Sequence, residues 1–283
     1  MESKTLNVQN PDSKAPDLSV FMNYEYDVDV DGDNALAFVI KFVGNNKKVL
    51  EIGAGSGMIS RKLVELNNCQ LTAAEISDTS IAKLKQITRS VYKTDLNKGG
   101  WSKDFKREGK YDVVVAADVL EHLYDPWSTL VEMKSLLNDT GEIVLSLPHT
   151  GHNGILAALY CEDFEYKEWG LLDKTHIRFF GLNNIHALHE KAGLTITDVK
   201  YVTYTPEASE FAREWSKLPE KLRHILDENP HGRIYQVVTK ASPSERGVQG
   251  INLFDHIPAL PVGSNHSASS GKNIGNWIKD LFR

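Results

Sequence analysis

This chain has only two cysteines, no basic surplus and no internal repeat. It also has no apolar run approaching the 18 or so residues of a membrane span. Each absence removes a class of protein. Cys69 and Cys161 stand far apart, with neither metal nor redox spacing, so a disulfide framework is excluded and two buried thiols in a reducing compartment are expected. No basic segment followed by an apolar stretch opens the chain, so a cytoplasmic location is the default. Lys and Arg number 32 against 38 Asp and Glu, a formal charge of −6 that leaves no footprint for a phosphate backbone and disfavours nucleic acid as a partner. What is present, 41% hydrophobic and 25% charged residues over 283 positions, suits a globular chain with a full core.

The most informative segment is Lys47 to Gly57. A short apolar strand ends in Glu51 and runs into Gly53, Gly55 and Gly57, and an amphipathic stretch, Met58 to Leu66, follows. Glycines at such a strand-to-helix turn allow unusual dihedrals and close approach of a ligand to the backbone. Dinucleotide-binding loops have G-x-G-x-x-G and seat a pyrophosphate on the helix N-terminus. Here the spacing is G-x-G-x-G, and the Glu51 carboxylate would repel a pyrophosphate but attract a cation. A second strand, Gln70 to Glu75, ends in an acid about 20 residues after the first glycine, where a carboxylate can accept from both hydroxyls of a ribose.

These residues resemble the first motifs of the class I S-adenosylmethionine (SAM)-dependent methyltransferases, E/D-x-G-x-G-x-G followed by a strand-ending acid. Val91 to Leu96 resembles that family's adenine-binding strand end. Tyr111 to Leu123, with its Leu120-Glu121-His122 ending, resembles the fourth-strand motif, and Gly141 to Pro148 the fifth strand. The resemblance covers about residues 34 to 202. It implies an α/β fold, a doubly wound, mostly parallel seven-stranded sheet of the Rossmann-like methyltransferase type with a C-terminal antiparallel strand pair. For the cofactor S-adenosyl-L-methionine it implies a loop set of Glu51, Gly53, Ala54, Gly55 and Gly57. Glu75 and Ile76 would meet the ribose, Asp95 and Leu96 the adenine, and Ala117 and His122 would follow strand four.

The chain organises accordingly. Residues 1–33 read as an N-terminal arm ending in an acidic loop able to cover the cofactor. Residues 34–241 form the methyltransferase domain, with an acceptor-side segment at 149–181 and a helical insertion at 206–229. The insertion's stripe of Phe211, Trp215, Leu218, Leu222 and Leu226 has helical spacing and reads as core or dimer contact. A Ser, Gly, Pro and Asn-rich flexible linker is expected at 242–272. A short amphipathic segment, 273–283, then carries Ile274, Trp277, Ile278 and Leu281 on one face. It would dock a partner protein, its own domain or a membrane surface, which adds peripheral association with the inner membrane face as a second location. A homodimer is left open.

Methyl transfer from a sulfonium mainly needs alignment, and a hydroxyl acceptor also needs a base. His149 follows strand five, and His176 lies in Asp173-Lys174-Thr175-His176-Ile177-Arg178-Phe179-Phe180, a segment similar to one in methyltransferases found with surface-polysaccharide systems. Both histidines are candidate bases, and Arg178 is a candidate for binding an acidic acceptor group. No metal is the favoured expectation. The alternative set is Asp118, Glu121, His122 and His149, because related quinone and small-RNA methyltransferases use E-x-x-E-H with a later histidine. The leading acceptor is therefore a small molecule or glycan hydroxyl, a sugar in polysaccharide biosynthesis first. The alternatives are a quinone or aromatic precursor, with a divalent cation in play, or a methyltransferase-like scaffold without turnover.

Overall fold

The computed structural model describes residues 29–259. The expected N-terminal arm up to residue 28 and the 273–283 segment lie outside them. Among the described residues no helix is long and apolar enough to cross a membrane. The chain enters through α1, Ala35–Val43, whose N-terminus is capped by the Asn34 side chain accepting from the Ala37 N–H. Strand and helix then alternate as β1 Lys48–Ile52, α2 Met58–Glu65, β2 Gln70–Glu75, α3 Asp78–Leu84 and β3 Ser90–Lys93. Strand β4, Tyr111–Ala117, leads through a 3₁₀ turn at Leu120–His122 into α4, Pro126–Ser135, and β5, Leu137–Pro148. Pro126 suits the first turn of α4 because its missing N–H has no partner there, and Asp125 caps that turn by accepting from the Ser128 N–H.

The second half supplies α5 Asn153–Tyr160, α6 Leu182–Lys191, β6 Leu194–Thr203, α7 Ala212–Lys217, α8 Glu220–Asp227 and β7 Ile234–Pro243. The seven strands lie in the order β3-β2-β1-β4-β5-β7-β6. β1 to β5 pair parallel, and β7 is antiparallel to both β5 and β6. Strand order reverses between β1 and β4, and such a switch point opens a crevice at the carboxyl ends of the strands. The expected sheet and its closing antiparallel pair are both observed.

Alternation along the strands divides the core into two layers. Val49, Val113, Val115 and Val144 pack with Phe38, Val39, Ile59 and Leu63 from α1 and α2. Leu50, Ile52, Val114 and Ile143 pack with Leu130 and Met133 of α4 and Ile185 and Leu188 of α6 on the other face. Both faces being covered explains the near-continuous apolar reading of β4 and β5.

Phe211, Trp215 and Leu218 of the 206–229 insertion are buried beneath α5, with Leu222 and Leu226 at the margin, so the described stripe is core. Cys69 is buried as expected, but Cys161 is only half-buried, its thiol 3.5 Å from the Glu214 carbonyl. The expected linker needs a larger correction. β7 continues to Pro243, and residues 244–257 pack on the domain as a strap, while 260–272 of the expected linker lie outside the described residues. Arg246 donates to the carbonyls of Gly141 and Asn138 at 2.6 and 2.8 Å, the Ile251 N–H to Ile196, and the Tyr201 hydroxyl to the Leu253 carbonyl at 2.6 Å. Leu253 is buried among Tyr201, Ile196 and α6. Composition marked this stretch as a tether; one leucine and three backbone acceptors order it.

Leu253→Ala should therefore lower the unfolding free energy by about 3 kcal/mol, the usual cost of a buried Leu-to-Ala cavity. Urea unfolding followed by circular dichroism measures it. An unchanged midpoint would mean that the segment is the tether its composition suggests.

Candidate active site

A cleft of about 780 Å³ opens at the carboxyl ends of β1 to β4. Gly53 from the β1 loop, Glu75 at the end of β2, Asp95 after β3 and Asp118 after β4 all line it. Glu75 organises the near wall. Its Oε2 accepts from the Gly55 N–H at 2.9 Å, and its Oε1 accepts from the Ile76 and Ser77 N–H groups at 2.8 and 2.9 Å. One carboxylate thus ties the glycine loop to the end of the neighbouring strand, with one of its roughly four acceptor sites, on Oε2, left over for a ligand's hydroxyl. The lining holds three carboxylates and no lysine or arginine. That field repels a pyrophosphate and welcomes a cationic nucleoside, so the residues fit S-adenosylmethionine and not a dinucleotide.

Of the expected cofactor residues, Gly53, Glu75, Ile76, Asp95, Leu96 and His122 line the cleft. Glu51, Ala54, Gly55, Gly57 and Ala117 do not. The Glu51 side chain is buried, and its Oε2 accepts from the Ser60 hydroxyl of α2. Burial, with Glu75 nearby adding to it and Ser60 opposing, pushes its pKa to about 7. Glu51 is thus a packed group behind the loop, about half protonated at neutral pH. Gly55 spends its N–H on Glu75, and Ala54 packs against Ala73 and Leu84. Gly57 has φ 89°, and a Cβ there would lie 2.5 Å from the Ile87 side chain, so it is glycine for conformation and packing. Ala117 faces the α1 and α2 layer.

Sequence reasoning did not select Ser77, Ser80, Thr94, Asn97, Val119, Leu123 or Thr175, all of which line the cleft. Ser77 carried a readable signal, since it caps α3 two residues beyond Glu75. Thr175 lay inside the Asp173 to Phe180 segment. The others are ordinary residues that only topology brings together.

At the far wall the Leu120–His122 turn meets that segment. The N–H groups of Ile177 and Arg178 both donate to the Glu121 carbonyl at 3.0 Å. The contact sets the His122 and His176 rings 4.8 Å apart, edge to face. Their ligand atoms and the Glu121 carboxylate lie within 4.8 Å of one another. His122 Nδ1 is 3.2 Å from the Thr175 carbonyl, and His176 Nδ1 is 3.2 Å from the Leu171 carbonyl, so each backbone oxygen fixes a tautomer with Nε2 unprotonated. Glu121 is fully buried, and neither carboxylate oxygen has a hydrogen-bond partner among the described residues. Burial, with Asp118 next, holds Glu121 well above the usual carboxylate range. Burial and then the neighbouring His176 depress His122 to about 4, and burial also lowers His176.

The expected metal set is corrected on two counts. Asp118 lies outside the cluster, where it accepts from Gln236 and Ser146, and His176 takes the place given to His149. His149 ends β5 against β7, its Nδ1 3.1 Å from the Ile234 carbonyl, with burial lowering it to about 4. It lines a separate shallow recess together with Arg178, Phe179 and Ile155. Arg178 donates to the Tyr124 carbonyl at 2.5 Å and stacks over Trp127 at 5.9 Å. The two candidate bases are therefore not partners; His176 belongs with His122 and His149 with Arg178.

A doubly wound sheet with an acid-lined nucleoside cleft at its switch point defines a class I SAM-dependent methyltransferase. The family model described as a methyltransferase domain matches residues 29–199, and the chain belongs to that family, with S-adenosyl-L-methionine as its cofactor. Among curated relatives, the ubiquinone biosynthesis O-methyltransferase of Azotobacter vinelandii is 27% identical over 165 residues, covering 56% of this chain and 69% of that protein. The protein of the same name from Marinobacter nauticus is 27% identical over 172 residues, covering 56% and 68%. A solved SAM-dependent methyltransferase from Archaeoglobus fulgidus superposes with a TM-score of 0.50 at 18% identity, covering 73% of this chain and 90% of that one.

The buried Glu51 gives the site a pH signature. Its carboxyl stays protonated in the folded chain up to about 7 but ionises near 4.5 when unfolded, so between these values the unfolded state holds fewer protons. Its contribution is whole below 4.5 and lost as pH rises through 7. Glu51→Gln should thus match wild type near pH 4.5 and be more stable at pH 8 by up to about 3 kcal/mol. Denaturant titrations at both pH values test this. A variant less stable at pH 8 would show that Glu51 is a working anion.

Proposed function

We propose that the chain methylates a hydroxyl of an aromatic small molecule, with a divalent cation held by Glu121, His122 and His176. The observation that carries the cation is the Glu121 carboxylate, buried without a hydrogen bond and facing two imidazoles whose Nδ1 atoms are already committed to backbone carbonyls. Two nitrogens and an oxygen within 4.8 Å resemble the donor set of a small-ion site, where each ligand stands about 2 Å from the metal. The backbone carbonyls would orient both rings, as outer partners do for ligating histidines. The aromatic acceptor is set ahead of the glycan because the relatives named above are ubiquinone biosynthesis O-methyltransferases. Membership of an enzyme family likewise puts turnover ahead of the scaffold reading.

SAM supplies the activated methyl, and a cation in the cluster supplies Lewis acidity that lowers the pKa of a hydroxyl. The chain's own residues do the placing. Glu75 braces the loop that flanks the cofactor cleft. Asn97 accepts from the Tyr124 N–H at 2.9 Å and Arg178 donates to the Tyr124 carbonyl, so loops after β3, β4 and β5 are linked beside the cleft. Arg178, stacked on Trp127 and next to the exposed Phe179, offers a cation and an aromatic face to an acidic aromatic acceptor.

The test is methyl transfer to a panel of catechols, phenols and nucleotide sugars, with and without a chelator, alongside metal content by mass spectrometry. Turnover on catechols that a chelator abolishes and added Mg²⁺, Mn²⁺ or Zn²⁺ restores is expected, and Glu121→Gln should lose bound metal. Full turnover in chelator would overturn the cation, and turnover on sugars alone would overturn the acceptor class.

A further inference from the structure

The cleft needs an anion for the cationic amino-acid end of its ligand, and Glu51, the residue whose position suggested that role, is buried behind the loop against Ser60. The other lining carboxylates differ in how their oxygens are spent. Both oxygens of Glu75 accept backbone N–H groups. Asp95 accepts from the Asn97 N–H and pairs with Lys98 at 3.6 Å. In Asp118 a single oxygen, Oδ1, takes both donors, the Ser146 hydroxyl at 3.3 Å and the Gln236 amide. Oδ2 has no hydrogen-bond partner among the described residues, and the half-exposed side chain lines the cleft.

The backbone is shaped to hold it there. Asp118 sits at φ 54°, a left-handed conformation uncommon for a residue other than glycine, with its N–H donating to the Ser146 carbonyl at 3.1 Å. Gln236 bridges the pair by donating to the Ser146 hydroxyl as well, at 2.8 Å. It does so from β7, opposite Pro148 of β5. Three strands thus fix one carboxylate. A Cβ on Gly53 would lie 2.6 Å from the Val119 side chain, so the residue after Asp118 is packed on the glycine loop. Asp95, Glu75, Gly53 and Asp118 follow four adjacent strands, β3-β2-β1-β4. At the usual strand spacing, three intervals cover roughly 14 Å. A nucleoside laid from Asp95 past Glu75 brings its amino-acid arm to Asp118.

We infer that Asp118 is the counter-ion of the cofactor's α-ammonium group and that Gln236 is a positioning residue that aims its free oxygen. The inference rests on the SAM-dependent reading of the cleft.

The test compares two probes by calorimetry in chelator: S-adenosylhomocysteine, which carries the amino-acid arm, and 5′-methylthioadenosine, which lacks it. Asp118→Asn keeps the shape and tolerates the left-handed backbone. It should weaken S-adenosylhomocysteine by roughly tenfold to a hundredfold, the scale of a lost charge-assisted hydrogen bond, and leave methylthioadenosine within twofold. Gln236→Leu should weaken the same probe selectively and by less. A merely structural role would weaken both probes together, and that result, or no change in either, overturns the inference. If wild type binds neither probe, the cofactor reading itself falls.

Discussion

The Glu75 carboxylate is the interaction on which the site depends. By accepting from Gly55, Ile76 and Ser77 it joins the loop after β1 to the end of β2, at the place where strand order is about to reverse. Without that brace three backbone N–H groups would lose their acceptor, and the glycine loop would lose a side-chain tie to the next strand. The Thr94 N–H adds a link from β3 by donating to the Glu75 carbonyl at 2.9 Å. A cleft walled by strand ends is thereby held open for a nucleoside while the sheet beneath stays packed on both faces.

Around this frame the chain divides its acids by their partners. Glu51 is packed against Ser60 with its pKa raised to about 7, and Glu121 lies buried beside two imidazoles. Glu75, Asp95 and Asp118 are left to face the cleft. The same kind of side chain thus packs behind the loop, sits beside two imidazoles or faces the cleft, and the neighbouring donors decide which. The histidines follow the same logic. His152 and His189 have both ring nitrogens within hydrogen-bond reach of protein partners and serve as internal joints. His122 and His176 each have Nδ1 held by a backbone oxygen, with the other nitrogen left for chemistry.

The fold was largely legible in the sequence because its signals are local. Alternating apolar strands, the three glycines and the strand-ending Glu75 each act within a few residues. The positions of Glu75 and Asp95 on the cleft wall were legible for the same reason. Two features were not. The choice between His149 and His176 depends on how a loop of about 30 residues returns to the Leu120–His122 turn, which no spacing encodes. The ordering of 244–257 depends on Arg246 finding carbonyl acceptors and the Leu253 carbonyl a hydroxyl donor on distant strands, against a composition that favours a tether. The surroundings of Glu51 were not legible either, because its burial against Ser60 is a property of the packed α2 and not of the motif.

The central claim is that an acid-lined cleft braced by Glu75 selects an adenosyl ligand with an amino-acid arm over a dinucleotide. Calorimetric titration of the full chain with S-adenosylhomocysteine and with NAD tests it most directly. Saturable one-to-one binding of S-adenosylhomocysteine in the micromolar range, with no heat from NAD, is the predicted result. Binding of NAD with none of S-adenosylhomocysteine would contradict the account.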